Sequence, residues 1–259
     1  MAGYYDLHAH ILPGVDDGPK DMADSIEMAR MAAKNGTAVL LATPHNKDVN
    51  QDHSVEYVRD LIKEFARQLE SNNIPLQLLL GMENHIGPDL PEQVKAGKAL
   101  TINASRYILV ELPFTSYPRF TNDTMYRLQL QGLTPIIVHP ERNAMIQKNP
   151  SIFESIVEKG MLGQVTAGSL LGVFGPEARK SSETLLKRNL LHLIASDTHH
   201  HLGPRNPALT MGVEAAAKIV GPEKARALVE DTPRAIVNNQ VLEIESPVEK
   251  PARSWWRFR

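Results

Sequence analysis

The chain has no cysteine among its 259 residues, which excludes disulfides, thiolate nucleophiles and cysteine-ligated zinc at once and fits a reducing compartment. It also lacks long apolar runs. The longest, such as AVLLA and LLHLIA, are far too short to span a bilayer. The opening MAGYYDLHAHILPG has no basic segment followed by a long apolar stretch, so it does not read as a secretory signal, and a cytoplasmic location is expected. Charge excess is missing as well: the net charge is −2, which provides no basic field for nucleic acid or anionic lipid. With no Lys/Arg run before the C-terminal stretch, an exonuclease-like groove is disfavoured. An anionic substrate must therefore be held by local cations. What remains is an ordinary globular composition, long enough for one large α/β barrel or two small domains.

One pattern recurs along the chain. A short apolar run of buried-strand length ends in a histidine or a carboxylate, and an amphipathic segment follows. The strand ends are YYDLHAH, AVLLATPH, LQLLLGME, RYILVE, TPIIVH and LHLIASDTH. Helical segments such as DMADSIEMARMAAKNG, with Asp21 as a cap and Gly36 beyond its end, lie between them. From His10 to His45, Glu83, Glu111 and His139 the steps are 35, 38, 28 and 28 residues, and the step to Asp197 is 58. That last step is about two units, and its missing strand is MLGQVTA, preceded by SIFESIVEKG. Seven β/α units imply parallel strands joined by right-handed crossovers. Closed on themselves they form an α/β fold of the (β/α)7, TIM-like barrel type, with active-site residues at the strand C-termini.

Nine residues would then meet at the barrel mouth: His8, His10, Asp17, His45, Glu83, Glu111, His139, Asp197 and His199. Taken singly, each could be a helix cap or a hydrogen-bonded core residue. Together, five imidazoles and four carboxylates left unpaired would be costly to bury. Divalent cations remove that cost, and an N/O ligand set without sulfur suits Mn, Fe, Co or Zn rather than calcium. So many ligands point to two or three ions sharing bridging carboxylates.

The segments DLHAH, VDDGPKD, ATPH, GME, LVELPF, IVHPERN and IASDTHH resemble the polymerase-and-histidinol-phosphatase (PHP) superfamily. Within it they are most similar to the bacterial tyrosine-protein phosphatases encoded with capsule or exopolysaccharide genes. The likeness runs from about residue 4 to residue 240, with the motifs in family order. It implies a distorted seven-stranded barrel carrying a trinuclear, most often manganese, site. By resemblance His8, His10, Glu83 and Asp197 would hold one ion, Glu83, Glu111 and His139 a second, and Asp17, His45 and His199 a third. It also implies that Arg142 and Arg205 bind the phosphate, and that the substrate is the phosphotyrosyl tail of a bacterial tyrosine kinase.

Metal ions suit this chemistry because they activate water and neutralise phosphate oxygens, and arginines add bidentate contacts to phosphoryl oxygens. Arg119, on the loop after Glu111, reads equally as a phosphate contact or a surface residue. Asp16 orients the loop or a ligand. His85 faces the same way as Glu83, towards substrate or a ligand, and either His200 or His201 could protonate the leaving phenolate. Tyr117 and Phe120 could flank an aromatic ring or close the barrel rim. His53 and His192 read as loop and strand-packing residues. The domain reading is a barrel over residues 1–240 and a Pro/Trp/Arg-rich tail over 241–259. That tail is expected to be flexible or docked on its own barrel, or to contact a partner or membrane surface. The alternative activity is a small-molecule phosphomonoesterase, such as a histidinol-phosphate phosphatase. A non-catalytic metal-binding scaffold is the reading from a different class.

Overall fold

The computed structural model describes residues 3–207, 209–243 and 247. It is an α/β fold of parallel sheets with helices between the strands. Strands β1 (Tyr4–Ala9), β2 (Thr37–Ala42) and β3 (Gln77–Leu80) form one sheet. Strands β4 (Glu83–His85), β5 (Tyr107–Glu111), β6 (Thr134–Val138), β7 (Leu162–Thr166) and β8 (Leu193–Ala195) form the other, in sequence order. Every pairing is parallel.

Every described strand except β3, which runs into β4, precedes a helix, and some of the helices have chemically marked ends. The helix Met22–Lys34 is capped by Asp21, whose side chain accepts from Asp24 N–H, and it stops at Asn35 before Gly36 turns to a φ of 89°. The helix Val55–Ser71 is capped in the same way by Ser54.

Where seven strands were expected, eight segments occur, because LQLLLGME is divided in two. β3 pairs with β2 on one side of Gly81, and β4 pairs with β5 on the other. The reason is steric. A Cβ on Gly81 would meet the Leu41 side chain at 3.0 Å, so glycine lets the chain pass close as it changes sheets without displacing Leu41. The sheets remain in register across the break, with Gly81 N–H donating to Ala42 O at 2.9 Å and Glu83 N–H to Pro44 O at 3.2 Å. At the opposite edges Asp197 N–H donates to His8 O, and His10 N–H to Thr198 O, both at 2.9 Å.

Alternation along the strands separates two apolar layers. Tyr107 and Leu109 join Leu7, Leu41, Ile136, Val138, Leu162 and Leu193 in a core drawn from both sheets. Ile108 and Val110 face outward against Met125, Leu128 and Phe153 of the covering helices. The polar strand ends therefore sit above a shared apolar floor that water does not reach. Residues 244–246 and 248–259, most of the expected tail, lie outside the described residues. Among the described residues no helix is long and apolar enough to cross a membrane.

Candidate active site

The structure brings all nine expected residues to the C-terminal ends of the strands. Their ligand atoms fall into overlapping groups within 4.8 Å of one another: His8, His10 and Asp197; Glu83, Glu111 and His139; and His10, Asp17, His45 and His199. A further group, not anticipated as such, joins His85 to His45 and Glu111. His85 Nε2 lies 2.9 Å from Glu111 Oε2. Glu83 is the hub. His8 Nε2 and His139 Nε2 lie 3.4 and 3.0 Å from its Oε1, while His10 Nε2 and His45 Nδ1 lie 3.2 and 3.0 Å from its Oε2. Seven of the nine are buried; His45 is partly open and Asp17 stands at the solvent edge.

Two of these residues depart from ordinary backbone geometry. His139 has a φ of 35° and Asp197 a φ of 52°, left-handed values that cost energy in non-glycine residues and cluster at functional sites. Each turn lifts a side chain off its strand end into the shared centre, where Arg142 N–H donates to His139 O at 3.0 Å. Gly18 shapes the aspartate loop in another way. A Cβ there would lie 2.6 Å from His10 O, so glycine lets DDGPKD fold tightly over the first strand.

Fixed tautomers make this cluster suited to cations. His8 Nδ1 donates to Gln164 Oε1 at 2.8 Å, and His10 Nδ1 to Asp16 Oδ2 at 2.7 Å. Both outward nitrogens are thereby committed, leaving the two Nε2 atoms facing each other at 3.2 Å. Two lone pairs cannot share that gap unless a cation or a second proton lies between them. Burial disfavours charge on His10, yet Asp16 and Glu83 hold its pKa well above the usual imidazole value. A metal ion bound here would satisfy both nitrogens. Nearby, burial followed by repulsion from His10 pushes His199 down to about 4; its Nδ1 donates to Asp197 O at 3.0 Å, and its Nε2 lies 3.1 Å from Asp17 Oδ1. His45 Nδ1, close to Glu83, makes no hydrogen bond at all. These residues fit a set of divalent ions.

Two arginines complete the mouth. Arg142 Nη1 donates to Asp197 Oδ2 at 2.6 Å, and Arg205 Nη2 to Asp197 Oδ1 at 3.0 Å. The two guanidinium groups thus converge on one carboxylate from residues 63 positions apart. Although burial opposes ionisation, His8 and Arg205 keep the Asp197 carboxyl below the usual carboxylate range.

A family model described as capsular polysaccharide synthesis, CpsB/CapC, matches residues 4–238. The chain belongs to the CpsB/CapC family. It is 37% identical over 253 residues to the tyrosine-protein phosphatase YwqE of Bacillus subtilis, covering 98% of this chain and 99% of that protein. It is 27% identical over 245 residues to the tyrosine-protein phosphatase CpsB of Streptococcus pneumoniae, covering 92% and 99%. A crystal structure from work on YwqE and CpsB, described there as unique metal-dependent tyrosine phosphatases, superposes with a TM-score of 0.86 at 36% identity, covering 95% of this chain and 100% of that one.

Within this CpsB/CapC centre, other expected residues take varied places. Asp16 accepts from His10 Nδ1, Gly18 N–H and His45 N–H, tying the loop to two histidines. Arg119 is exposed, His200 is exposed beside His199, and His201 lies 3.7 Å from Asp24. Tyr117 donates to Asn122 and packs on the outer core. His53 stacks on Tyr57 at the surface, and His192 packs below β8.

Two functional neighbours escaped the sequence reading. Gln164, whose only signal is a polar residue inside an apolar strand, orients His8 from 156 positions away. Phe114 stacks beside His139, with ring centroids 5.5 Å apart, and the Arg142 guanidinium lies over both Phe114, at 4.7 Å, and Phe174, at 4.3 Å.

Proposed function

We propose that this chain is a metal-dependent protein-tyrosine phosphatase. In this reading it acts in the cytoplasm on the phosphotyrosyl tail of a bacterial tyrosine kinase that controls capsular or exopolysaccharide synthesis. The observation that carries the reading is the convergence of Arg142 and Arg205 on Asp197, at the edge of a centre of five histidines and four carboxylates. A phosphate monoester is a dianion. The site therefore needs fixed cations, and the sequence supplies no global positive field. The ligand assignment that best uses the contacts gives His8, His10, Glu83 and Asp197 to one ion and Glu83, Glu111 and His139 to a second. Asp17, His45 and His199 would hold a third, and manganese is the expected metal. We also propose that the hydrogen bonds joining β1 to the end of β8, and β2 to β4, close the sheets into a distorted seven-unit barrel over residues 1–240.

When bound, divalent ions lower the pKa of a coordinated water and neutralise phosphate oxygens. The protein's part is placement. Asp16 and Gln164 fix the tautomers of His10 and His8, so both present Nε2 inward. Arg142 and Arg205 rest on Asp197 until a phosphate offers them oxygens of higher charge, which they bind in fork geometry. Asp17 and His45, at the open edge, leave the mouth accessible to a protein segment.

The test is hydrolysis by metal-free protein reconstituted separately with Mn, Co, Fe(II), Zn and Mg. Its substrates are a phosphotyrosyl peptide, a phosphoseryl peptide and histidinol phosphate. Mn-dependent turnover of the phosphotyrosyl peptide supports the proposal. Preference for histidinol phosphate would replace it with small-molecule hydrolysis, and silence with every metal would leave a scaffold.

A further inference from the structure

Phe114 combines exposure with rigidity. Its side chain is 44% exposed, a state that normally accompanies a loop free to move. Here the backbone is pinned from below by the segment that carries His139 and Arg142. Ala144 N–H donates to Phe114 O at 2.7 Å. Asn143 Nδ2 reaches Pro113 O at 2.6 Å and Ser116 O at 2.9 Å, while its Oδ1 caps the following helix. The ring lies 5.5 Å from the His139 ring, centroid to centroid, and the Arg142 guanidinium sits 4.7 Å from its centroid. An apolar surface is thus held open to water beside one expected metal ligand and one expected phosphate-binding arginine. Fixing Arg142 does not by itself require this, since the guanidinium also lies over Phe174, 4.3 Å from its centroid.

We infer that Phe114 is the platform on which the aryl ring of the substrate packs, so that it selects aryl over alkyl phosphate monoesters at this centre. The inference rests on the phosphotyrosine reading and adds the residue that determines specificity. A phosphate gripped by Arg142 places its ester oxygen, and the first group beyond it, next to Phe114. In phosphotyrosine that group is a flat ring, which pairs with another ring in offset or edge-to-face geometry. In phosphoserine it is a methylene leading directly into backbone, which offers the ring nothing to stack on. Tyr117 and Phe120, the aromatics that sequence alone suggested for this role, sit further along the same loop. Tyr117 is tied to Asn122 and the outer core, whereas the contacts to His139 and Arg142 belong to Phe114.

The experiment uses the full chain loaded with manganese and measures inhibition constants of phenylphosphonate and methylphosphonate against turnover of an aryl phosphate. Wild type should bind phenylphosphonate about tenfold more tightly than methylphosphonate, the ratio that one aromatic pair provides. Phe114→Ala should reduce that ratio to within about twofold, with the loss falling mainly on phenylphosphonate. Phe114→Leu, which keeps bulk without a ring, should fall between the two, and Phe114→Trp should retain the preference. Thermal unfolding of each variant confirms that it is folded. A phenyl preference that survives in Phe114→Ala overturns the inference, and so does an equal loss for both phosphonates, which would mean that the ring acts only through Arg142 and His139. The phosphotyrosine reading fails separately, if wild type with every metal leaves the phosphotyrosyl peptide intact.

Discussion

The two ends of β8 place histidines in contrasting surroundings. Beyond its C-terminal end, His199 joins four other imidazoles around Glu83, Asp197 and Asp17. Just before its N-terminal end, His192 lies among Leu191, Leu228 and Leu242, with Lys224 nearby. There the imidazole accepts from Gly163 N–H at 3.1 Å, and burial, then Lys224, push its pKa down to about 4. It remains neutral and holds a backbone amide. Among the strand C-termini the more deeply buried His10 is shifted the other way: burial disfavours its charge, but Asp16 and Glu83 raise its pKa. Burying an imidazole therefore does not make a site. A site arises where several lone pairs are aimed at one point and acidic groups surround them.

The comparison breaks most visibly by removing a member of the C-terminal cluster. His139→Ala should lower kcat/KM for a phosphotyrosyl peptide with manganese by at least about a thousandfold, the scale of losing a group that acts on the reacting centre. His192→Asn, which still offers Gly163 an acceptor, should change it by less than about twofold. Steady-state kinetics on both variants decides the point.

Next in size, Arg142→Lys and Arg205→Lys should each cost about a hundredfold in kcat/KM, because an ammonium cannot reproduce the fork on a phosphoryl group. Bound metal, measured by atomic emission, should be unchanged.

A smaller effect separates ligands from the groups that orient them. Gln164→Leu removes the partner of His8 Nδ1 and should weaken metal affinity by about ten- to a hundredfold in a chelator competition. Activity at saturating manganese should recover most of its value. Unchanged affinity would show that His8 needs no help to present Nε2.

The least effect concerns stability in acid. With His192 depressed to about 4 in the folded chain against 6.5 unfolded, the unfolded state takes up its proton first as pH falls. The stability this histidine contributes is present above about pH 6.5 and is lost on the way down to pH 4, by at most about 3 kcal/mol. Urea unfolding of wild type should therefore steepen in that window relative to His192→Asn. Parallel curves would show that His192 is solvated.

Much of the site was legible before any folding was known, because apolar runs that end in His, Asp or Glu are uncommon and their spacing repeats. His10, His45, Glu83, Glu111, His139 and Asp197 all announced themselves this way, and the structure brings them together. The bend at Gly81 was not legible, since glycine reads the same whether it ends a strand or redirects one. Gln164 and Phe114 were less visible still. Their partners lie 156 and about 25 to 28 positions away in sequence, and no local pattern marks which strand end or loop will face which.

The sequence by itself determined the ligand chemistry and the alternation of strands and helices, because both depend on residue type and local period. Tertiary structure alone decided which nitrogen each histidine presents, which carboxylate both arginines grip and which aromatic stands exposed at the mouth. These are contacts between distant segments, and their geometry exists only once the strands have been set side by side.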